Sequence, residues 1–125
     1  MVPRSLTVEH MTDEEFDSVV RVHLRGHFVN MRNATAYWRD KAKTGDAVYG
    51  RLISTSSEAA IYGSAGQPNY AAAKAGIIAM TMGAAQLLTK YGITANVIMP
   101  RALTDMTAGG QTAEMFQAPA DGSFH

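Results

Sequence analysis

Residues 13–42 carry a helical pattern, because apolar and bulky positions recur there at steps of three and four. Thr12 and Glu15 form a capping-box pattern ahead of the stretch, and Gly45 follows it, so the sequence predicts both ends of a long amphipathic helix. The positions that share this period are Phe16, Val19, Val20, His23, Leu24, His27, Phe28, Met31, Ala34 and Trp38.

Three more elements follow along the chain. Residues 50–56 predict a short strand that ends in hydroxyl residues. Residues 69–90 are rich in Ala, Ile, Met and Leu and predict a second helix, which Gly92 stops. Residues 93–99 predict a second strand, which Pro100 closes.

The order helix, strand, helix, strand predicts a parallel pair of strands joined by a helical crossover. Parallel sheets are normally covered by helices on both faces, and two strands are too few to supply such a core. Residues 59–68 are rich in Gly and Pro and predict a loop, and after residue 100 the chain loses its periodicity. We therefore interpret the sequence as part of an α/β domain.

Composition narrows the classes of function. The 125 residues allow one domain, and 11 basic against 11 acidic residues argue against a nucleic-acid or polybasic membrane-surface partner. The absence of Cys excludes disulfides, thiolate catalysis and Cys-based metal sites, and it permits a cytoplasmic location. The longest uncharged stretch, residues 75–89, is shorter than the roughly 20 residues that a membrane span needs. We therefore expect no membrane segment.

His23 and His27 are four residues apart and share a helix face, as two metal ligands would. The Glu of an H-E-x-x-H zinc motif is missing, so we expect no metal site. The simpler interpretation of His23 is a buried, hydrogen-bonded helix residue.

Tyr70 and Lys74 are the candidate chemical groups, since they lie four residues apart on one face of a helix start. A phenol has an ordinary pKa near 10, and an ammonium close by lowers it, so such a pair can move a proton to or from a substrate oxygen. A hydroxyl at the end of the neighbouring strand, such as that of Ser57, could hold the same oxygen. A Tyr–Lys pair at this spacing arises by chance about once in six chains of this composition, so the bare motif is also compatible with an exposed pair without a role.

The flanking segments make the pair specific. With residues 50–53, 67–76 and 92–100, the chain resembles the short-chain dehydrogenase/reductase family over about residues 11–107. The active site of that family is a Tyr-x-x-x-Lys helix preceded, commonly by thirteen residues, by a Ser at a strand end. This spacing selects Ser57, with Ser56 as the second choice.

The resemblance implies a Rossmann-like, doubly wound parallel sheet in which NAD or NADP exchanges a hydride with a small-molecule alcohol or ketone. Tyr70 would be the acid/base, Lys74 would bind the nicotinamide ribose and lower the pKa of the tyrosine, and Ser57 would orient the substrate oxygen. Pro100 and Thr104 match the segment that lines the nicotinamide and contacts its carboxamide.

Other positions are more open. Tyr62 and Gln67 would line the substrate pocket, or they are ordinary surface residues. Ser57 could instead be only a strand-end hydroxyl that satisfies backbone groups. His23 stands where the family usually has an Asn that steadies a water linked to the lysine. This His and the short segment after Pro100 resemble the (3R)-hydroxyacyl-CoA dehydrogenase branch more than the 3-oxoacyl-carrier-protein reductases, which implies 3-hydroxyacyl or 3-oxoacyl thioesters as substrates.

The family's phosphate turn, Thr-Gly-x-x-x-Gly-x-Gly, does not occur in this sequence. We therefore interpret residues 1–125 as a partial domain that lacks the N-terminal dinucleotide-phosphate-binding part and the C-terminal strand. The resemblance also implies a homo-oligomer that forms through the two long helices. The alternative function is that of a truncated, non-catalytic piece that at most associates through those helices.

Overall fold

A computed structural model of the chain describes residues 6–100, so Thr104 and the rest of the segment after Pro100 lie outside the described residues. The elements are, in chain order, a 3₁₀ turn (Val8–His10), helix α1 (Asp13–Val20), a π-helical turn (Arg21–Arg25), helix α2 (Gly26–Lys43), strand β1 (Gly50–Thr55), the one-turn helix α3 (Ala59–Tyr62), helix α4 (Pro68–Leu88), a 3₁₀ turn (Thr89–Tyr91) and strand β2 (Ile93–Ile98).

The first long helix begins at the capping box that the sequence predicts. The Thr12 hydroxyl oxygen accepts the Glu15 N–H at 3.1 Å, and the Glu15 carboxylate accepts the Thr12 N–H at 3.1 Å. The helical stretch continues to Lys43, which confirms its predicted extent, and Gly45 follows it with φ +91°. The π-helical turn Arg21–Arg25 interrupts it between α1 and α2, a local widening that side-chain periodicity does not reveal.

The sheet is a parallel pair, as the element order predicts. In its register Gly50 lies opposite Ile93, and Thr55 lies opposite Ile98. Helix α4 makes the crossover and packs on both strands, with Ile77 fully buried among them. Because the carboxyl ends of parallel strands meet at one edge, the residues that follow β1 and β2 come together there.

The prediction of a loop over residues 59–68 is wrong at its start, where α3 forms a single helical turn. Ser57 supports this turn, because its hydroxyl oxygen accepts the Ala59 N–H at 3.3 Å. Gly63 ends the turn with φ +79°, a conformation that glycine adopts without strain. The glycines and the proline of residues 59–68 indicate a loop, and a helical sequence of only four residues gives no signal against them.

Helix α4 with its 3₁₀ extension is longer than the uncharged stretch used to judge membrane segments. The 24 residues from Pro68 to Tyr91 contain an 18-residue stretch of mean hydropathy 1.3 and are long and apolar enough, by length and composition only, to cross a membrane. Core helices pass the same test. We interpret α4 as such a core helix, because it packs on α1 and both strands and carries the buried Lys74.

Candidate functional site

Two hydrogen bonds join the end of β1 to the first turns of α4, and Lys74 takes part in both. The Ser56 hydroxyl donates to the Lys74 backbone carbonyl at 2.8 Å, and the Lys74 ammonium donates to the Thr55 carbonyl at 3.1 Å. The side chains are buried, with Ser56 exposed to 4% and Lys74 to 6%. The helix that carries Tyr70 is therefore fixed against the carboxyl end of the strand.

Lys74 places a cation close to the phenol of Tyr70. Its Nζ lies 5.5 Å from the centroid of the Tyr70 ring. Burial lowers the pKa of the Lys74 ammonium, because a charged group loses hydration there. The bond to the Thr55 carbonyl uses one of the three N–H donors of the ammonium and leaves two for other acceptors.

The two neighbouring serines have different environments. Ser56 uses its proton in the buried bond to Lys74. Ser57 is half-buried and accepts the Ala59 N–H through its oxygen, so its own proton remains to be donated. This geometry favours Ser57 over Ser56 as the hydroxyl that holds a ligand oxygen.

His23 lies against Tyr70 from the π-helical turn. The two rings meet edge to face, with centroids 5.3 Å apart and an interplanar angle of 86°. Burial, followed by the positive charge of Lys74, lowers the pKa of His23, which favours the neutral imidazole. The turn approaches α4 closely because Gly76 has no side chain: a Cβ there would lie 2.9 Å from Leu24 Cδ1.

His27 was not among the predicted site residues, although its spacing from His23 drew attention to it. Its Nδ1 lies 2.7 Å from the His23 carbonyl, and its Nε2 accepts the Thr55 N–H at 3.4 Å. These two partners require a neutral ring with the proton on Nδ1. His27 therefore acts as a hydrogen-bonded link between α2 and β1. Within residues 6–100 there is no group of three or more side chains that could hold a metal ion.

Asn69, the residue before Tyr70, was also missed. Its side chain is 5% exposed and has both ends of its amide occupied. Nδ2 donates to the Glu15 carbonyl in α1 at 3.0 Å, and Oδ1 accepts the Tyr70 N–H at 2.8 Å. A short polar side chain at a helix start commonly bonds backbone groups nearby, but nothing in the sequence identifies the Glu15 carbonyl as the partner.

The remaining predicted residues lie at different distances from the sheet edge. Pro100 follows β2 as Ser57 follows β1, two residues past the last pair of the register, so both lie at the carboxyl edge. Gln67 is half-buried and immediately precedes α4. Tyr62 ends α3 with a side chain that is 80% exposed. Thr104 lies outside the described residues.

The arrangement suits proton transfer to a bound oxygen. Ligands of open parallel sheets bind at the carboxyl edge, which is where Tyr70, Lys74 and Ser57 are held. A phenol can exchange a proton with a ligand oxygen, a serine hydroxyl can donate to the same oxygen, and a buried cation stabilises negative charge as it develops.

Comparisons with known proteins identify relatives of this chain. The family model described as short chain dehydrogenase matches residues 2–114. Hydroxyacyl-CoA dehydrogenase ChsB1 of Mycobacterium tuberculosis is 60% identical over 109 residues, which are 86% of this chain and 34% of that protein. The peroxisomal hydratase-dehydrogenase-epimerase of Neurospora crassa is 38% identical over 104 residues, 83% of this chain and 11% of that protein.

Among solved structures, a short chain dehydrogenase from Mycobacterium avium superimposes with a TM-score of 0.78 at 50% identity. The match covers 81% of this chain and 36% of that one. The chain thus spans about a third of the length of two of these relatives, and much less of the third.

Proposed function

Because the chain belongs to the short-chain dehydrogenase family, we propose that it is the catalytic segment of an NAD- or NADP-dependent oxidoreductase that interconverts an alcohol and a ketone. One observation carries this proposal above the others. Lys74 is buried, bonded through both its side chain and its backbone to the end of β1, and its Nζ lies 5.5 Å from the Tyr70 ring centroid.

Three residues divide the chemistry. In the direction of reduction, the Tyr70 hydroxyl gives its proton to the carbonyl oxygen as the carbonyl carbon receives a hydride; in oxidation the proton returns to Tyr70. Ser57 donates its free proton to the same oxygen and so fixes its position. Lys74 stabilises the negative charge that develops on the Tyr70 oxygen.

The residues at the carboxyl edge also fit the nicotinamide half of a dinucleotide. A bound NAD or NADP would supply or accept the hydride. The two free N–H donors of Lys74 suit ribose hydroxyls, and Pro100, at the neighbouring strand end, would border the nicotinamide ring. His23 packs on the Tyr70 ring and keeps it in place on the side of α1.

The proposed substrates are 3-hydroxyacyl and 3-oxoacyl thioesters. The support comes from relatives whose names include hydroxyacyl-CoA dehydrogenase and 3-oxoacyl-[acyl-carrier-protein] reductase, at 60% and 38% identity. His23 in place of the family's usual Asn agrees with the hydroxyacyl-CoA branch that the sequence resembles.

The test uses an exchange enzyme, defined as the Mycobacterium tuberculosis relative with its 109 aligned residues replaced by the matching residues of this chain. We expect it to oxidise a 3-hydroxyacyl-CoA with NAD⁺ or NADP⁺, and Tyr70→Phe to lower kcat by at least about a hundredfold while cofactor binding is kept. Tyr49→Phe is the matched control and should change kcat little, since that side chain is 78% exposed and precedes β1, at the end of the strand opposite to the site. Normal turnover of Tyr70→Phe would remove Tyr70 from its role.

The chain by itself gives a second measurement. Since it contains no glycine-rich phosphate turn, we expect fluorescence titration with NADH and NADPH to show no tight, saturable binding. Tight binding would mean that this chain alone holds a dinucleotide site.

We also propose that the chain associates with itself through α2 and α4. An apolar groove of about 360 Å³ lies between these helices and is lined by Phe28, Met31 and Leu87, among others. Leu87 is 58% exposed there, whereas Ile61 on α3 is 59% exposed and lies outside the groove. Sedimentation should therefore show that Leu87→Glu weakens self-association and that Ile61→Glu does not; equal effects would argue against this interface.

A further inference from the structure

Asn69 stands at the start of α4, where backbone N–H groups lack helical partners. Pro68 opens the helix and has no N–H, so Asn69 and Tyr70 contribute the first free donors. The Tyr70 N–H is satisfied by Asn69 Oδ1 at 2.8 Å. The backbone of Tyr70 is therefore held by the side chain of its neighbour and not only by the helix.

The other end of the same amide reaches a different element. Asn69 Nδ2 donates to the Glu15 carbonyl at 3.0 Å, which joins the start of α4 to α1 across 54 positions of sequence. The amide has a single orientation, because rotation by 180° would set Nδ2 against the Tyr70 N–H and Oδ1 against a carbonyl. Asn69 is 5% exposed, so the loss of either bond leaves a buried polar group with little access to water.

These two bonds act on the two elements that position the Tyr70 ring, which are the start of α4 and helix α1. Helix α1 continues directly into the π-helical turn Arg21–Arg25, from which His23 packs edge-on against that ring. Asn69 thus fixes the backbone that carries Tyr70 relative to the helix that leads to its ring contact. A misplacement of about 1 Å at such a position costs about a hundredfold in rate.

We propose that Asn69 is a positioning residue that sets the reach of the Tyr70 hydroxyl towards the substrate oxygen. This inference rests on the proposed function of Tyr70 and adds to it a residue that acts only through the tyrosine. Asn69→Asp separates the two bonds, since a carboxylate still accepts the Tyr70 N–H but turns an oxygen towards the Glu15 carbonyl. Asn69→Ala removes both.

Thr81→Val is the matched control in the same helix. Thr81 is 1% exposed; its hydroxyl donates to the Ile77 carbonyl at 2.7 Å and its oxygen lies 3.0 Å from Ser54 Oγ, which can donate to it. Its loss disturbs buried hydrogen bonds of α4 about three turns away from Tyr70, so it reports what destabilisation alone does to activity.

The first measurement needs no turnover. In the full chain labelled with ¹⁵N-tyrosine, we expect the Tyr70 amide proton to exchange about tenfold faster in Asn69→Ala than in the parent, and to stay protected in Asn69→Asp. Thr81→Val should leave the ratio of Tyr70 exchange to global exchange unchanged. Equal protection in Asn69→Ala and in the parent would overturn the proposal.

The second measurement uses the exchange enzyme. We expect Asn69→Ala and Asn69→Asp to lower kcat by about 10- to 100-fold with little change in the KM for NAD(H) or NADP(H), and Thr81→Val to keep kcat per folded molecule. Unchanged kcat in both Asn69 variants, in an enzyme that Tyr70→Phe inactivates, would overturn the positioning role alone. Activity that survives Tyr70→Phe would instead refute the proposed function.

Discussion

Replacing Ser56 and Ser57 by alanine, one at a time, separates a structural hydroxyl from a chemical one. Ser56 donates to the Lys74 carbonyl at 2.8 Å and is 4% exposed, so Ser56→Ala leaves a buried carbonyl with one bond fewer. An unmade bond of this kind costs about 1–3 kcal/mol. For a chain of 125 residues, each kcal/mol lowers the melting temperature by about 4 °C.

We expect Ser57→Ala to affect stability little and kcat strongly. Its hydroxyl oxygen accepts the Ala59 N–H at 3.3 Å, a long bond at a half-buried position, so its loss should cost less than about 1 kcal/mol of stability. In the exchange enzyme it should nevertheless lower kcat by about 10²–10³, the usual cost of removing one donor from a reacting oxygen.

The assay pairs thermal and urea unfolding of the chain with turnover of a 3-hydroxyacyl-CoA by the exchange enzyme. We expect Ser56→Ala to lose stability and keep kcat per folded molecule, because the bond of the Lys74 ammonium to the Thr55 carbonyl still holds α4 against β1. We expect Ser57→Ala to do the reverse. The reasoning is refuted if Ser56→Ala loses kcat while Ser57→Ala keeps it, since the ligand oxygen would then be held by the buried serine.

Two further predictions concern stability. Gly92→Ala should destabilise the chain by more than about 2 kcal/mol in urea unfolding, because φ is +82° and the new Cβ would lie 2.4 Å from the Val48 carbonyl oxygen. Gly45→Ala, at φ +91° with open space around it, should lose only about 1–2 kcal/mol, the cost of the left-handed backbone conformation. Equal losses of stability in the two variants would show that the clash at Gly92 is relieved. The second prediction is pH-dependent: burial lowers the pKa of His23, so the unfolded chain binds its proton more readily and stability should fall as the pH drops below about 6.5. His23→Asn should reduce the difference between the urea midpoints at pH 7.5 and pH 5. The control for loss of an imidazole is His10→Asn, at an exposed position. An unchanged difference in His23→Asn would contradict the assignment of the pH dependence to His23.

Much of the fold follows from local sequence. The capping box at Thr12 and the period of three and four define the first helix, because these signals act within a few residues. The positive φ of Gly92 ends the second helical stretch, and the element order alone implies parallel strands. The π-helical turn was not predicted, since one extra residue in a turn leaves almost no trace in side-chain periodicity. Helix α3 was not predicted because glycines and a proline follow its four residues.

The candidate site was likewise predicted from the sequence only in part. The four-residue spacing of Tyr70 and Lys74 places both on one helix face, and the sequence determines this by itself. Which serine is free to donate was decided by the tertiary structure, because only the packing of α4 on β1 buries Ser56 and bonds its hydroxyl to the Lys74 carbonyl, while Ser57 accepts the Ala59 N–H.

The residues that hold the site together were beyond the reach of sequence reasoning for a related physical reason. Asn69 bonds the carbonyl of Glu15, and His27 bonds the N–H of Thr55, both of them backbone groups that every residue possesses. A pattern of side chains cannot identify a partner that carries no side-chain signature. The sequence determined which chemical groups the chain carries and on which elements, and only the packing of α1, α4 and β1 decided which backbone groups fix them in place.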